Sequence, residues 1–353
     1  MSDFVDWALA SRVARAAAGD GPQAMTGGLD LGASGEAAVR AVLDYTGLTP
    51  GEALPPAEWV SRRAWAEINL ASMRELIAPV EERLAGSLPS RGRAAISAVA
   101  GRVLAVEIGA LLGLISKRVL GQYEFSMRSP ERAPRLLFVG PNIEAAARQL
   151  EGRPGDVLDW VALHEVTHAA HFAAAPWLRG HLGVLSDELL AASEVEASSR
   201  EIAGRARELL GGDPRQALAR LRESDPFSLL APAGAQAAIA EVQATMAAIE
   251  GYAEHVMDAA AGELGSVVPE LRAAMERRRQ SRSPLMRLIS WLLGFELKLR
   301  QYKQGKVWAD EVAAASGVAT LNEAWRDRES LPSQAEIADP AVWLRRVAGA
   351  PIA

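Results

Sequence analysis

The chain has 353 residues, no cysteine, five histidines and a net charge of −6. The lack of cysteine excludes disulfides, Cys-ligated zinc, iron–sulfur clusters and thiol nucleophiles, so any metal must be held by His, Asp or Glu. Apolar residues make up 49% of the chain, which predicts a globular fold with a sizeable core. The overall charge gives no signal for nucleic acid or an anionic membrane, and we expect neither as a partner.

The two most apolar parts of the chain do not resemble targeting or membrane segments. Residues 3–18 have helical spacing with two early aspartates and lack the apolar core of a secretory signal, so we expect a cytoplasmic protein. The stretch 94–115 contains Arg102, Glu107 and three glycines. A membrane span needs about 20 apolar residues with few or no charges. We therefore predict a buried helix whose glycines let another helix approach closely.

Apolar residues recur at helical spacing along most of the chain. The predicted helices cover 3–18, 35–46, 57–85, 92–120, 143–150, 157–174, 184–211, 234–262, 266–279, 284–301 and 306–316. One segment, Arg135–Gly140, has the apolar run and the Pro-Asn ending of a strand. The expected fold is mainly α, with at most a small β-sheet.

Proline-rich punctuation at 128–134 marks a boundary before the part of the chain that carries the chemistry. We expect an N-terminal helical region at 1–130, a metal-site core at 131–265 and a C-terminal helical region at 266–353. These regions are expected to pack as one compact unit.

Residues 164–168 read His-Glu-Val-Thr-His. Positions i and i+4 share one face of a helix, so His164 and His168 can bind the same ion. Glu165 lies about 100° further round, where its carboxylate can act on a water molecule without being a ligand. This HExxH arrangement is typical of zinc hydrolases, with Glu165 as the general base.

A catalytic zinc needs a third protein ligand. The metzincin continuation fails, because position 171 is His and position 174 is Ala. His171 lies three residues after His168, too close on the same stripe to be an easy third ligand, so we expect it to line the cleft or support a ligand. His181 is expected to be structural or exposed.

The third ligand is therefore expected to be a glutamate on a later helix. The candidates are Glu188, Glu194, Glu196, Glu201, Glu250 and Glu254. Glu250 and Glu254 are each followed four residues later by an acid, which can orient a ligating histidine through its second ring nitrogen. With Asp258 they form an acidic stripe whose repulsion a nearby cation would remove. We favour Glu250, then Glu254, then the 188–201 helix.

Several segments together resemble one family. Their sequences are HEVTHAAHF at 164–172, PWLR at 176–179, EGYAEHVMD at 250–258, LLGFELKLRQYKQG at 292–305 and NEAWRDRESLP at 322–332. The chain resembles, along most of its length, the zincin-like metallopeptidase family that is often labelled as associated with deazaflavin coenzyme biosynthesis. HExxH alone occurs in many families, whereas segments 250–258 and 292–305 are far more specific.

The resemblance implies a mainly helical, zincin-like fold and a hydrolase, and it supplies no substrate. The positions that match the family's motifs are His164, Glu165, His168, Glu250, Glu254 and Asp258. The family often has His where this chain has Tyr252 and Gln where it has His171. These departures weaken a catalytic role for either residue.

The leading hypothesis is a zinc-dependent amide or peptide hydrolase in which Glu165 moves the proton. Tyr252, His255 and Tyr123 are candidate donors to the oxyanion. A peptide substrate could pair along the edge of strand 135–140. One alternative is a non-catalytic zinc scaffold.

Another alternative is a binder of anionic partners through the segment 276–306, which holds nine Lys or Arg and two Glu. Interleaved leucines make this segment amphipathic. A core-packed helix whose basic face pairs with the protein's own acidic surface explains the same pattern.

Overall fold

The computed structural model describes residues 4–19, 28–87, 93–129, 131–149, 154–192, 233–264, 295–347 and 349. Within these ranges the chain is mainly α-helical with one small sheet, which confirms the predicted fold class. None of the described helices is long and apolar enough to cross a membrane. The candidate ligands Glu194, Glu196 and Glu201, and residues 276–294 of the basic segment, lie outside the described residues.

The elements follow one another without long strands. The first are α1 (Trp7–Ala18), α2 (Leu31–Thr46), β1 (Ala57–Val60), α3 (Arg62–Ser87), α4 (Arg93–Ile115), β2 (Gly121–Glu124), β3 (Arg135–Val139), α5 (Gly140–Gln149) and α6 (Pro154–Ala174). The others are α7 (Trp177–Ala192), α8 (Ala233–Ala260), α9 (Phe295–Ser316), α10 (Val318–Asn322), α11 (Gln334–Ala338) and α12 (Pro340–Val347).

Backbone contacts divide the chain into two compact units. The first contains Met1–Val42, Glu52–Ala170 and Ala261–Leu271. The second contains Leu43–Gly51, His171–Ala260 and Arg272–Ala353. The three regions expected from the sequence stay a prediction.

The sheet of the first unit has the strand order β1-β3-β2. Strand β1 pairs parallel with β3, and β2 pairs antiparallel with it. Strand 135–139 is therefore central, so its peptide groups are already paired on both sides and it offers no edge to a substrate. The edge next to β3 on one side is β2, which the sequence analysis missed because Gly-Gln-Tyr-Glu carries no apolar alternation.

The predicted helix 57–85 is wrong at its beginning, because Ala57–Val60 is strand β1. Trp59 and Val60 favour a strand, and pairing with β3 fixes them there. The Ser61 hydroxyl then accepts a hydrogen bond from the Ala64 N–H at 3.1 Å, which begins α3.

Helix α4 crosses α1 at its glycines, as predicted. A Cβ on Gly109 would lie 2.4 Å from the Ala10 carbonyl oxygen, and one on Gly113 would lie 2.5 Å from the Ala17 Cβ. Only this side of α4 is covered, since Val103 on the same helix is 53% exposed. The high apolar content of α4 therefore reflects close packing on one side.

Helix α6 begins at Pro154, a residue well suited to the first helical position, and Asp156 lies in its first turn. It ends before Pro176, as predicted. Its side chains from Val157 to Ala173 are almost all buried, and Glu165 is the only acid among the buried ones. The charge-free run around the motif thus reflects a helix that is surrounded by protein.

In the second unit, α8 and α9 cross at a pair of glycines. A Cβ on Gly251 would lie 2.1 Å from the Gly305 carbonyl carbon, and one on Gly305 would lie 1.9 Å from the Ala247 oxygen. The sequence predicted two helices separated near Gly305, whereas α9 runs through it. Gly305 is thus required for packing and does not end the helix.

Candidate metal centre

The two histidines of the HExxH motif point their Nε2 atoms at each other. The distance between the Nε2 atoms of His164 and His168 is 3.2 Å. Their rings lie nearly perpendicular, at 87°, with centroids 4.7 Å apart. His168 is buried and His164 is half-buried, so both nitrogens converge in a largely dry environment.

This spacing fits two ligands of one tetrahedral ion. With Zn–N bonds of about 2.0–2.1 Å, tetrahedral geometry separates two ligating nitrogens by roughly 3.3 Å. A direct hydrogen bond between the rings also fits 3.2 Å, but it requires one ring to donate and the other to accept. The donor set suits zinc, which prefers imidazole and carboxylate ligands in the absence of thiolates.

Glu250 completes a group of three possible ligands. One nitrogen of each histidine and one carboxylate oxygen of Glu250 all lie within 4.8 Å of one another, so the three residues could hold a metal ion. Glu250 is half-buried on α8. Zincin-like sites use this donor chemistry, and the proximity of the three residues is the arrangement that the spacing predicted.

Glu165 is held against the sheet. Its Oε2 accepts a hydrogen bond from the backbone N–H of Tyr123 at 2.9 Å, and the residue is only 8% exposed. A backbone N–H that donates to a carboxylate favours the ionised form. The bond therefore suits a group that begins its work as a base.

Gly121 makes this approach possible. A Cβ at position 121 would lie 2.6 Å from the Glu165 Cγ and 2.7 Å from the Val161 Cγ1. Real Cβ atoms do not come this close to other atoms, so any larger residue would push α6 or the glutamate away from β2. Sequence reasoning missed both Gly121 and the Tyr123 amide, since a backbone donor leaves no residue-type signal.

His171 and Tyr252 belong to an aromatic cluster. The His171 ring centroid lies 3.9 Å from that of Trp325 and 5.1 Å from that of Tyr252. Tyr252 is fully buried and its hydroxyl donates to Asn322 Oδ1 at 2.7 Å. Burial raises the pKa of the Tyr252 phenol far above its ordinary value. An oxyanion role for Tyr252 would require this hydrogen bond to break.

The acidic stripe on α8 has a built-in cation at one end. Lys306 Nζ lies 3.0 Å from Asp258 Oδ2 and 2.6 Å from Asp310 Oδ2. Lys306 is one of the nine basic residues of the segment 276–306, so this member of the set pairs with the protein's own acids. The charge of Asp258 is thus balanced by lysine, while Glu250 lies in the histidine group and Glu254 is half-buried between them along the helix.

His255 is engaged at both ring nitrogens. Its Nδ1 lies 2.7 Å from Asp310 Oδ1 and its Nε2 lies 2.7 Å from the Tyr45 hydroxyl. As with Tyr252, a role at the oxyanion would require one of these bonds to break. The sequence gave no signal for Tyr45 or Asp310, because each is a lone polar residue on a distant helix.

The remaining candidates lie apart from the histidine group. His181 is buried beside Trp177, with its Nε2 3.7 Å from Glu241, and burial lowers its pKa. This agrees with the structural role expected for it. Glu188 is exposed on α7 and is not among the three residues of the metal group.

Comparison with known proteins extends the similarity well beyond the active helix. A family model described as zincin-like metallopeptidase matches residues 5–344. A crystal structure from Chloroflexus aurantiacus, described as that of a putative hydrolase with a novel fold, is 28% identical, with a TM-score of 0.68. The similarity covers 98% of this chain and 100% of that one. No curated protein matches the chain.

Proposed function

The chain belongs to the zincin-like metallopeptidase family, and from this membership we propose that it is a zinc-dependent hydrolase of amide or peptide bonds. The observation that carries the proposal is the convergence of two imidazole nitrogens and one carboxylate oxygen within 4.8 Å. The similarity to a protein described as a putative hydrolase supports the same reaction class.

In this proposal His164, His168 and Glu250 hold the zinc ion, with Glu254 as the alternative third ligand. Three protein ligands leave one position of a tetrahedral site for water or substrate, which distinguishes a catalytic site from a closed structural one. When bound, zinc supplies Lewis acidity that lowers the pKa of water and polarises a carbonyl.

Glu165 supplies the proton transfer. The Tyr123 amide holds its carboxylate in place and favours its ionised form, so Glu165 is ready to accept a proton from the attacking water. The protonated Glu165 then passes the proton to the leaving nitrogen. Because the carboxylate is 8% exposed, bulk water does not compete for it.

The test is a comparison of two carboxamide variants in the full-length chain. Glu165→Gln should keep the zinc content of the wild type and lose hydrolysis of a broad peptide mixture by on the order of 10²–10⁴-fold, the usual contribution of a general base. Glu250→Gln should lose zinc itself. Zinc per chain is measured by atomic absorption after dialysis, and cleavage is measured by mass spectrometry.

Glu188→Gln is the matched control, because Glu188 is an exposed glutamate on α7. It should change neither zinc content nor cleavage. Full zinc retention by Glu250→Gln would move the third ligand elsewhere, and unchanged cleavage by Glu165→Gln would remove the proposed base. Bound zinc without cleavage and without hydroxamate binding would favour the scaffold alternative.

A further inference from the structure

A second chain of reactive groups lies in the second unit, built from Tyr45, His255 and Asp310. The Tyr45 hydroxyl, the His255 imidazole and the Asp310 carboxylate follow one another through hydrogen bonds of 2.7 Å each. The Lys306 ammonium binds the second oxygen of Asp310 at 2.6 Å. Helices α2, α8 and α9 each contribute a residue.

The direction of these hydrogen bonds follows from the charge of Asp310. Burial alone would raise the pKa of Asp310, but its hydrogen bonds to His255 and Lys306 outweigh burial and hold the pKa below its ordinary value. An ionised carboxylate only accepts, so His255 Nδ1 carries the proton. His255 Nε2 is then an acceptor, and the Tyr45 hydroxyl donates to it.

This order of hydroxyl, imidazole and carboxylate is that of an activated nucleophile with its base and the group that orients the base. Burial and the charge of Asp310 raise the pKa of the Tyr45 phenol. The phenol is therefore neutral at ordinary pH, and it can attack only as its proton moves to His255. The structure supplies that acceptor at 2.7 Å.

Tyr252 provides the contrast within the same unit. It also makes a hydrogen bond of 2.7 Å, but its acceptor is the side-chain amide oxygen of Asn322, which does not take up a proton. Tyr252 is fully buried, whereas Tyr45 is partly exposed and Asp310 is 45% exposed at its side chain. Of these two tyrosines, only Tyr45 combines a base with access to solvent.

We propose that Tyr45 is a nucleophilic site that accepts an acyl group from an activated acyl compound. The carboxylates of Asp310 and Asp258 lie near His255 and Lys306 and repel an anionic donor such as a phosphate ester, which favours an uncharged acyl donor. His255 follows Glu250 by five residues on α8, about 140° round the helix. The site does not depend on the proposed metal.

The step balances with N-acetylimidazole as the acyl donor. A bond forms between the Tyr45 oxygen and the acetyl carbon, and the bond from that carbon to the imidazole nitrogen of the reagent breaks. The phenolic proton moves to His255 Nε2 and then to the departing imidazole. Asp310 stabilises the imidazolium while it exists.

The test is acetylation of the full-length chain by N-acetylimidazole, followed site by site by mass spectrometry. Free N-acetyltyrosine amide in the same tube is the reference for an unassisted phenol. Tyr45 should react at least tenfold faster than this reference, while Tyr252 should react more slowly than it. His255→Gln and Asp310→Asn should each bring the Tyr45 rate down to the reference or below, with near-UV circular dichroism as the check on folding.

A Tyr45 rate no higher than that of the reference in the wild type would overturn the proposal without recourse to any variant. A raised rate that survives in folded His255→Gln would overturn it too, because the imidazole would then not be the base. In either case the three residues serve to tie α2, α8 and α9 together.

Discussion

At the scale of single residues, Gly121 decides where Glu165 can lie. We predict that Gly121→Ala keeps the zinc content of the wild type and lowers hydrolysis by tenfold or more. The added Cβ would lie 2.6 Å from the Glu165 Cγ and would push the carboxylate off the Tyr123 amide. A displacement of about 1 Å at a reacting group can cost on the order of 10²-fold in rate. Zinc analysis and cleavage of the same peptide mixture measure the two effects.

The control for this substitution is Gly180→Ala on α7, where a Cβ would meet nothing within 4 Å. It removes the same backbone freedom without a collision, so activity should be unchanged and stability slightly higher. If Gly121→Ala hydrolyses as fast as Gly180→Ala, the contact between β2 and Glu165 does not matter for the reaction.

The residue scale also shows what spacing can and cannot reveal. His164 and His168 follow from a period that puts i and i+4 on one face, and Glu250 follows from the acid four residues later. Their roles as ligands stay predictions. The Tyr123 amide could not be predicted, because every residue except proline carries the same donor and only the fold decides where it points.

At the scale of elements, the crossing of α8 and α9 depends on the absence of one side chain. We predict that Gly305→Ala lowers the free energy of unfolding by about 1–3 kcal/mol, the usual cost of overpacking, although alanine is the better helix former. The added Cβ would lie 1.9 Å from the Ala247 carbonyl oxygen, so the helices must separate. Urea unfolding followed by circular dichroism gives the value.

Gln304→Ala is the matched substitution for this crossing, because Gln304 is the exposed neighbour on the same helix. It should change stability by no more than about 0.5 kcal/mol. Equal stability of the two variants would mean that α8 and α9 do not need the close approach.

Elements were predicted best where local pattern and packing agree. Helix α6 shows long apolar runs, helix formers and a following proline, so its pattern was sufficient. Strands β1 and β2 have four residues each, too few to display a period, and pairing with β3 forms them. Gly305 reads locally as a helix end, and only the contact with Ala247 shows why it lies inside α9.

At the scale of the whole molecule, composition predicted the fold class correctly, since abundant alanine and helical spacing leave little sequence for strands. Net charge was less informative than the pairing of individual charges. Lys306 belongs to the most basic segment of the chain, yet it binds Asp258 and Asp310 of the same unit. A basic segment therefore cannot be assigned to an outside partner before its internal acids are known.

The proposed metal makes a prediction about the stability of the folded chain. A ligand that binds only the folded state stabilises it by about 2.7 kcal/mol when its free concentration is 100 times its Kd. For a folding unit of about 150–250 residues, each kcal/mol raises Tm by about 2–4 °C. We therefore expect zinc to raise the Tm of the metal-free protein by about 5–10 °C, measured by scanning calorimetry, and a chelator to reverse the rise.

The shift must depend on the three residues to support the site. His168→Ala should abolish it, because one of the two converging nitrogens is removed, whereas Glu188→Gln should keep it in full. Zinc that binds weakly to exposed acids would raise or lower the Tm of both variants alike. A shift that persists in His168→Ala would therefore place the bound zinc elsewhere on the protein, and the absence of any shift would leave the histidine pair as a hydrogen bond between two rings.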